Sequence, residues 1–338
     1  MDEPRIILAH GGGGSIMNGL IRNLFFSCFD NPVLARAADS AILTIPGKRI
    51  AFTTDAFVVD PIFFPGGDIG KLAICGTLND LAVSGARPLY LSVSFILEEG
   101  LLISDLERIV RSMAATAREA GVPIVAGDTK VVPVGKGDKV FITTSGVGSV
   151  EEMHSEISEG KAIGPGDCIL VNGTLGDHGI AVLLQRESFQ LHTSIHSDCA
   201  NLYPLIRHLL DAVPQTRFMR DATRGGMATV LCELVEKRDF GIELEEDQIP
   251  VMPAVADACE LLGMDPLYIA NEGKVVMVVP ARDAEKALTT LRNHHLGANS
   301  AIVGRVTGAN PGKVIMRTTL GGKRWIDYLS GDQLPRIC

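Results

Sequence analysis

The chain closes with Pro335-Arg336-Ile337-Cys338, and its terminal thiol is a group able to do covalent chemistry. A thiol becomes a nucleophile when it ionises. Residues 330–338 contain Gly331, Asp332 and Pro335 and show no helical or alternating apolar pattern, so they read as a mobile arm. Such an arm can take up a group on Cys338 in one place and release it in another. The alternative is an incidental terminal cysteine. Prenylation fits poorly, because it needs a cysteine four residues from the end.

A second set of reactive groups consists of carboxylates at junctions: Asp39 before a hairpin, Asp55 at the end of Phe52-Thr53-Thr54-Asp55, Asn79-Asp80 inside an apolar helix, and Asp128 in Gly127-Asp128-Thr129-Lys130 after a strand. Hard oxygen ligands of this kind hold magnesium, which bridges nucleotide phosphates. Glycine turns accompany them. His10-Gly11-Gly12-Gly13-Gly14-Ser15 precedes an amphipathic helix, where backbone amides can approach an anion. It lacks the Gly-Lys-Ser/Thr ending of a Walker A loop. In Pro65-Gly66-Gly67-Asp68-Ile69-Gly70-Lys71, the glycines make a tight turn, Asp68 caps the next helix, and Lys71 in its first turn is placed to reach phosphate. Each residue alone has a structural explanation as turn, cap or solvated face; together they indicate a metal–phosphate site.

Three further loops lie in the second half: Gly173–Gly179, Arg220–Gly226 and Asn271-Glu272-Gly273-Lys274. Strand-to-helix loops of this type build sites in α/β layers, and ordinary turns are the alternative.

The elements that must position these groups follow from pattern. Residues 41–54 read as a hairpin about a Pro-Gly-Lys turn, helices are predicted near 69–84 and 103–120, and strands near 89–97, 122–126 and 139–147. Two or more strands before each helical block imply a mixed α+β layer. Residues 151–167 are polar and contain Gly and Pro, like a linker. A second α/β unit then runs from Cys168-Ile169-Leu170-Val171 to about 329. The expected division is therefore 1–150, 151–329 and a tail, 330–338.

At 338 residues, 46% apolar and 21% charged, the chain has material for two domains with sizeable cores. A net charge of −9 argues against a nucleic-acid or anionic-membrane surface, while leaving local nucleotide binding open. The start, Met1-Asp2-Glu3-Pro4, lacks signal-peptide character and no apolar run is long enough for a bilayer. Seven cysteines are scattered without zinc-ligand spacing, and Cys28 and Cys232 lie in apolar helical surroundings. These features imply a reduced cytoplasmic protein without a structural metal.

The blocks His10–Gly14, Phe52–Lys71, Cys75–Ala82, Gly127–Val132, Gly173–Gly179, Arg220–Gly226, Asn271–Lys274 and Pro335–Cys338, in this order, resemble the HypE family of hydrogenase expression/formation proteins, within the aminoimidazole-ribonucleotide-synthetase-like (PurM-like) superfamily. They span essentially the whole chain, and the terminal Pro-Arg-Ile-Cys is specific to that family within the superfamily. The resemblance implies a two-domain fold: an N-terminal mixed sheet that joins a second subunit's in a β-barrel dimer interface, and a C-terminal α/β sandwich. It implies ATP and Mg2+, with metal contacts at Asp39, Asp55, Asp80 and Asp128. Nucleotide contacts would come from His10, Gly12, Gly13, Gly66, Gly67, Lys71, Asn79 and Thr129.

The implied reaction begins with HypF placing a carbamoyl group on Cys338. ATP-dependent dehydration converts it to a thiocyanate, and cyanide passes to a HypC–HypD complex for the iron of NiFe hydrogenase. Glu272 would accept protons and Lys130 would neutralise developing charge. Two other readings compete: a synthetase or kinase for a free small molecule with an irrelevant tail, and a non-catalytic thiol carrier. The dense carboxylate set disfavours a pure carrier.

Overall fold

The structure, a computed structural model, describes residues 14–20, 22, 41–45, 48–186, 194–329 and 336–338. His10, Gly12, Gly13 and Asp39 lie outside them. After a short helix α1 (Ser15–Leu20), the first layer is built from β1 (Ala41–Ile45), β2 (Lys48–Phe57), the two-residue pair β3 (Phe63–Phe64) and β4 (Gly67–Asp68), α2 (Ile69–Val83), β5 (Ala86–Glu98), α3 (Ile103–Ala120), β6 (Ile124–Val132) and β7 (Val140–Val150). Its sheet has the order β1-β2-β7-β5-β6, antiparallel except for the β5–β6 pair. Among the described residues the sheet is open, with β1 and β6 as its edges and no closed barrel. The barrel expected at the sequence level is therefore not a property of a single chain.

Helix α2 decides how the two halves meet. Asp68 caps it, accepting from the Gly70 and Lys71 amides at 2.8 and 3.1 Å, worth about 1 kcal/mol for a cap of this type. The helix is apolar all round rather than amphipathic, as a helix buried on every side must be. It lies on the first sheet and also contacts the second half. Along its length only Lys71 and Asp80, its two charged residues, are partly exposed.

The second layer comprises β8 (Cys168–Val171), α4 (Asp177–Leu184), α5 (Tyr203–Ala212), β9 (Phe218–Asp221), α6 (Gly226–Val235), β10 (Gly241–Glu245), α7 (Pro253–Leu262), β11 (Val275–Val279), α8 (Ala284–Arg292), β12 (Ala301–Thr307), β13 (Val314–Arg317) and β14 (Lys323–Ile326). The sheet order is β14-β13-β10-β12-β8-β11-β9. Both faces are covered: Ile169 and Val171 join a core with α6, whereas Cys168 and Leu170 join one with α5 and α8. This explains why β8 and β11 read as continuous apolar runs instead of alternating. A third core joins the halves, running from Phe57 and Leu72 through Ile180 and Ile269 to Ile337. Among the described residues, no helix is long and apolar enough to cross a membrane.

The chain terminus departs from the mobile arm expected of it. Ile337 is buried in the joining core and forms an antiparallel bridge with Val59, and Cys338 packs partly buried against the same core. A buried isoleucine one residue from the end anchors the thiol, a contact invisible in local pattern.

Candidate functional site

The three loops of the second layer are tied into one platform. Asn271 donates to the Ala222 and Ile269 carbonyls, both at 2.9 Å, and accepts from the Gly176 amide at 2.8 Å, joining all three loops. Asp198 accepts from the Glu272 and Gly273 amides at 3.0 and 3.1 Å. Lys274 Nζ lies 2.7 Å from Asp198 Oδ2 and 3.5 Å from Asp177 Oδ2, and Thr174 Oγ1 donates to Asp177 at 2.5 Å. Gly273 is obligatory here, since a Cβ would stand 1.9 Å from the Asp198 carbonyl oxygen. Burial opposes ionisation of Asp198, yet Lys274, through its charge and hydrogen bond, and the Glu272 amide hold its carboxyl below the usual carboxylate range. Burial outweighs Lys274 at Asp177, whose carboxyl is pushed up.

Glu272 stands on this platform with 3% of its surface exposed, and its Oε1 is buried without a hydrogen-bond partner. Burial first, then Asp198 and Asp221, push its carboxyl well above the usual range, with Arg224 opposing. A buried orphan carboxyl with raised proton affinity is destabilising for the fold and suited to proton transfer.

Arg224, from the Arg220–Gly226 loop, was not among the residues singled out from sequence. It remains exposed, and its charge is favoured first by Cys338 and then by Asp55, Glu272 and Asp80. The guanidinium thus brings the first layer's carboxylates, the second layer's buried acid and the terminal residue into one electrostatic neighbourhood. Asp80 is held by Thr53 Oγ1 at 2.6 Å, and Asp55 by Thr77 Oγ1 at 3.0 Å. Asp55 and Asp80 offer two hard carboxylates in that neighbourhood, and among the described residues no set of three His, Cys, Asp or Glu side chains converges as a complete metal shell. Two suffice for Mg2+, which keeps much of its octahedron as water and phosphate oxygen.

Several expected contacts fall elsewhere. Asn79 is 2% exposed and fully engaged: its Nδ2 donates to the Ala200 and Glu272 carbonyls at 3.0 and 3.3 Å, and its Oδ1 accepts from the Leu202 amide at 2.8 Å. It pins the two layers together, with both amide N–H groups and one lone pair of its oxygen engaged by the protein itself. Gly66 (φ 93°) turns against Ser197, whose carbonyl oxygen a Cβ would meet at 2.5 Å, so its requirement is one of packing. Gly67 pairs with Phe64, and Lys71 Nζ donates to the Gly66 carbonyl at 2.9 Å.

Asp128, Thr129 and Lys130 lie within β6 instead of following a strand. The cross-strand row Asp55–Thr144–Val93–Gly127 puts β6 three strands from Asp55, about 14 Å at ~4.8 Å per strand. Asp128 and Lys130, one and three residues beyond Gly127, alternate onto the opposite face. Lys130 is 74% exposed at its side chain and 3.9 Å from Asp128, and Asp128 Oδ1 accepts from the Thr129 amide at 2.8 Å. Within one chain these three do not join Asp55, Asp80 and Glu272.

The tail approaches from the other side. Arg336 Nη1 is 2.5 Å from Asp138 and its Nη2 3.2 Å from Asp60. The Arg336 carbonyl accepts from the Asp60 amide at 3.2 Å and from Arg186 Nη2 at 3.1 Å. The Ile337 carbonyl lies 2.7 Å from His178 Nε2. Sequence reasoning missed Asp60, Asp138, Arg186 and Asp198; the tail's own Arg336 was the available hint that acidic partners existed. Three other thiols sit where burial disfavours ionisation. Cys199, hydrogen-bonded to Cys75 and buried, is held well above the thiol range, and burial pushes Cys232 to about 12 and Cys259 to about 11.

Comparison with known proteins completes the picture. Residues 37–150 match the family "AIR synthase related protein, N-terminal domain", and residues 164–317 match its C-terminal domain. The chain is 52% identical over 335 residues to a protein of Cupriavidus necator named carbamoyl dehydratase HypE, covering 99% of this chain and 95% of that one. It superposes on a chain from a crystal structure of a HypE–HypF complex with TM-score 0.86 at 47% identity, covering 92% of this chain and 99% of the other. A crystal structure of hydrogenase maturation protein HypE in complex with ATP gives TM-score 0.82 at 45% identity, covering 99% of this chain and 100% of the other.

Proposed function

Since the chain belongs to the carbamoyl dehydratase HypE family, with the two AIR synthase-related domains of that family, we propose that it dehydrates a carbamoyl group carried on its own Cys338 to a thiocyanate, consuming ATP. The observation that carries this reading is the convergence on Arg224 of Cys338, Glu272, Asp55 and Asp80. A synthetase for a free small molecule needs no docked terminus, and a simple carrier needs no buried orphan acid.

The steps balance as follows. The amide oxygen of Cys338–S–C(=O)–NH2 attacks the γ-phosphorus of ATP; the new O–P bond replaces the bond to ADP, and one N–H proton passes to solvent water. The resulting imidate phosphate loses its second N–H proton to Glu272 while the C–O bond breaks. Cys338–S–C≡N and inorganic phosphate remain. Phosphate is a far better leaving group than oxide, so the energy of ATP is used to remove the oxygen. Arg224 stabilises negative charge on the transferring phosphoryl group or the developing imidate. Lys130, assigned that role from sequence, is placed by its strand to act only if a second subunit brings β6 to the site.

Asp55 and Asp80, with Asp39 at a position outside the described residues, would hold Mg2+, which would neutralise phosphate charge and align the γ-phosphoryl group. Residues 1–150 would supply nucleotide and subunit contacts, and residues 151–329 the proton acceptor. The outer face of the first sheet supports a homodimer closing a β-barrel. Phe52, Val147 and Tyr90 form one cross-strand row there, and Phe52 and Tyr90 are 42% and 52% exposed. HypF would load the carbamoyl group and a HypC–HypD complex would accept cyanide, in the cytoplasm.

Mass spectrometry of the C-terminal peptide tests the reaction. After incubation with HypF, carbamoyl phosphate and ATP, Cys338 should carry a carbamoyl adduct that loses one water mass only as ATP is hydrolysed. An adduct that persists while ATP is consumed rejects it.

A further inference from the structure

His178 is buried completely, its ring edge-on to Phe64 at 5.4 Å between centroids. A carbonyl oxygen only accepts, so the 2.7 Å contact to Ile337 requires the proton on Nε2. The other nitrogen, Nδ1, then accepts from the Ser197 hydroxyl at 2.8 Å, and Ser197 Oγ in turn accepts from the Cys199 amide at 3.1 Å. Every group in this chain is satisfied with a neutral imidazole. Burial, opposed by Asp198, lowers its proton affinity and favours that form.

We infer that His178 is a positioning residue for Cys338, acting through the Ile337 carbonyl. The held carbonyl belongs to the residue directly before the one that carries the thiol. With the Ile337 side chain buried and its backbone bridged to Val59, the hydrogen bond leaves the terminal residue little freedom beyond its own torsions. His178 also follows Asp177 on α4, and Asp177 belongs to the Lys274–Asp198 cluster that holds the Glu272 amide. Adjacent side chains on one helix therefore orient the substrate arm and the buried acid. Arg336, clamped by Asp60 and Asp138, sets the direction of approach, and His178 sets the final placement. This role deepens the dehydratase reading, but its first tests do not depend on it.

His178→Phe keeps the ring and loses the donor; His178→Gln restores an N–H at nearly the Nε2 position. In the purified protein, alkylation of Cys338 by iodoacetamide, followed by mass spectrometry, should be roughly fivefold to tenfold faster in His178→Phe, the weight of one buried hydrogen bond, and intermediate in His178→Gln. With HypF and ATP, His178→Phe should be carbamoylated at least as fast as wild type yet dehydrated more slowly, a split that general loosening would not produce. The wild-type fold supplies a control independent of folding in the variants: removing residues 336–338 should move the His178 Nε2–H resonance of 15N-histidine-labelled protein. Wild-type labelling rates in a folded His178→Phe protein, or an unmoved resonance after truncation, overturn the assignment. Faster labelling in a protein whose wild type never dehydrates the adduct would overturn the dehydratase reading instead.

Discussion

Lys274 Nζ lies 2.7 Å from Asp198 Oδ2, and that same carboxylate receives the backbone amides of Glu272 and Gly273. The pair is more than 90% buried at both side chains, so its charges are weakly screened, and it fixes the peptide that carries the candidate base.

Replacing Lys274 with Ala should therefore cost about 3–5 kcal/mol, because Asp177 and Asp198 are left buried without their cation. Without Lys274 both carboxyls would have folded-state pKa values above their unfolded ones. Ionisation then disfavours the fold, and the loss should grow as pH rises above the ordinary carboxylate range. Urea denaturation at several pH values reads this out; a pH-independent loss would contradict it.

Glu272→Gln should separate stability from activity. The native pKa of Glu272 is raised, so its charge costs stability once pH exceeds the unfolded carboxylate value, and the cost is fully present only above the raised native value. The variant should melt a few degrees higher at neutral pH, on the scale of about 1 kcal/mol, and show no gain near pH 4. It should bind ATP and leave the carbamoyl adduct intact. In wild type, the acidic limb of the dehydration rate should lie above the ordinary carboxylate range, since the acceptor must be ionised.

Asn79→Ala tests an interlayer role against a nucleotide contact. Removal of three hydrogen bonds that leaves the Ala200 carbonyl and the Leu202 amide unpaired, with the Glu272 carbonyl keeping only the Ala200 amide at 3.4 Å, should cost about 2–3 kcal/mol. ATP affinity, measured calorimetrically, should stay within about threefold, since a single neutral hydrogen bond outside the site is worth little to the ligand. Unchanged stability with lost ATP binding would restore the sequence assignment.

A charge on the outer face of the first sheet should dissociate the proposed dimer. Phe52→Lys with Tyr90→Lys places two cations on one cross-strand row, already exposed in the single chain, so the monomer's melting temperature should hold. Sedimentation velocity should show a shift from dimer to monomer. A wild type that sediments as a monomer removes the proposal.

Much of the local structure was legible because it depends on near neighbours. The Gly66–Gly67 turn, the Asp68 cap and helices near 69–83 and 103–120 follow from residue type and period, and Asp55, Asp80 and Glu272 stood out as carboxylates in unusual company. Beside its neighbours in sequence Asn79 looks like a ligand, but its partners come from chain 121 residues away. Asp128 keeps its contacts with the next two residues, and only the sheet register puts it on the face opposite Asp55. Arg224 was visible in its motif and lacked any local sign that it faces Cys338, Asp55 and Asp80.

By itself, the sequence determined residue chemistry, turn and cap positions, the apolar runs that form two layers, and a family resemblance ending at Pro335–Cys338. The tertiary structure alone decided that the terminus is docked, that Glu272 is buried with an orphan oxygen, and that Lys130 faces away from it within one chain. Those outcomes depend on contacts between residues far apart in the chain, where burial and charge act through space, and no pattern along the chain encodes that distance.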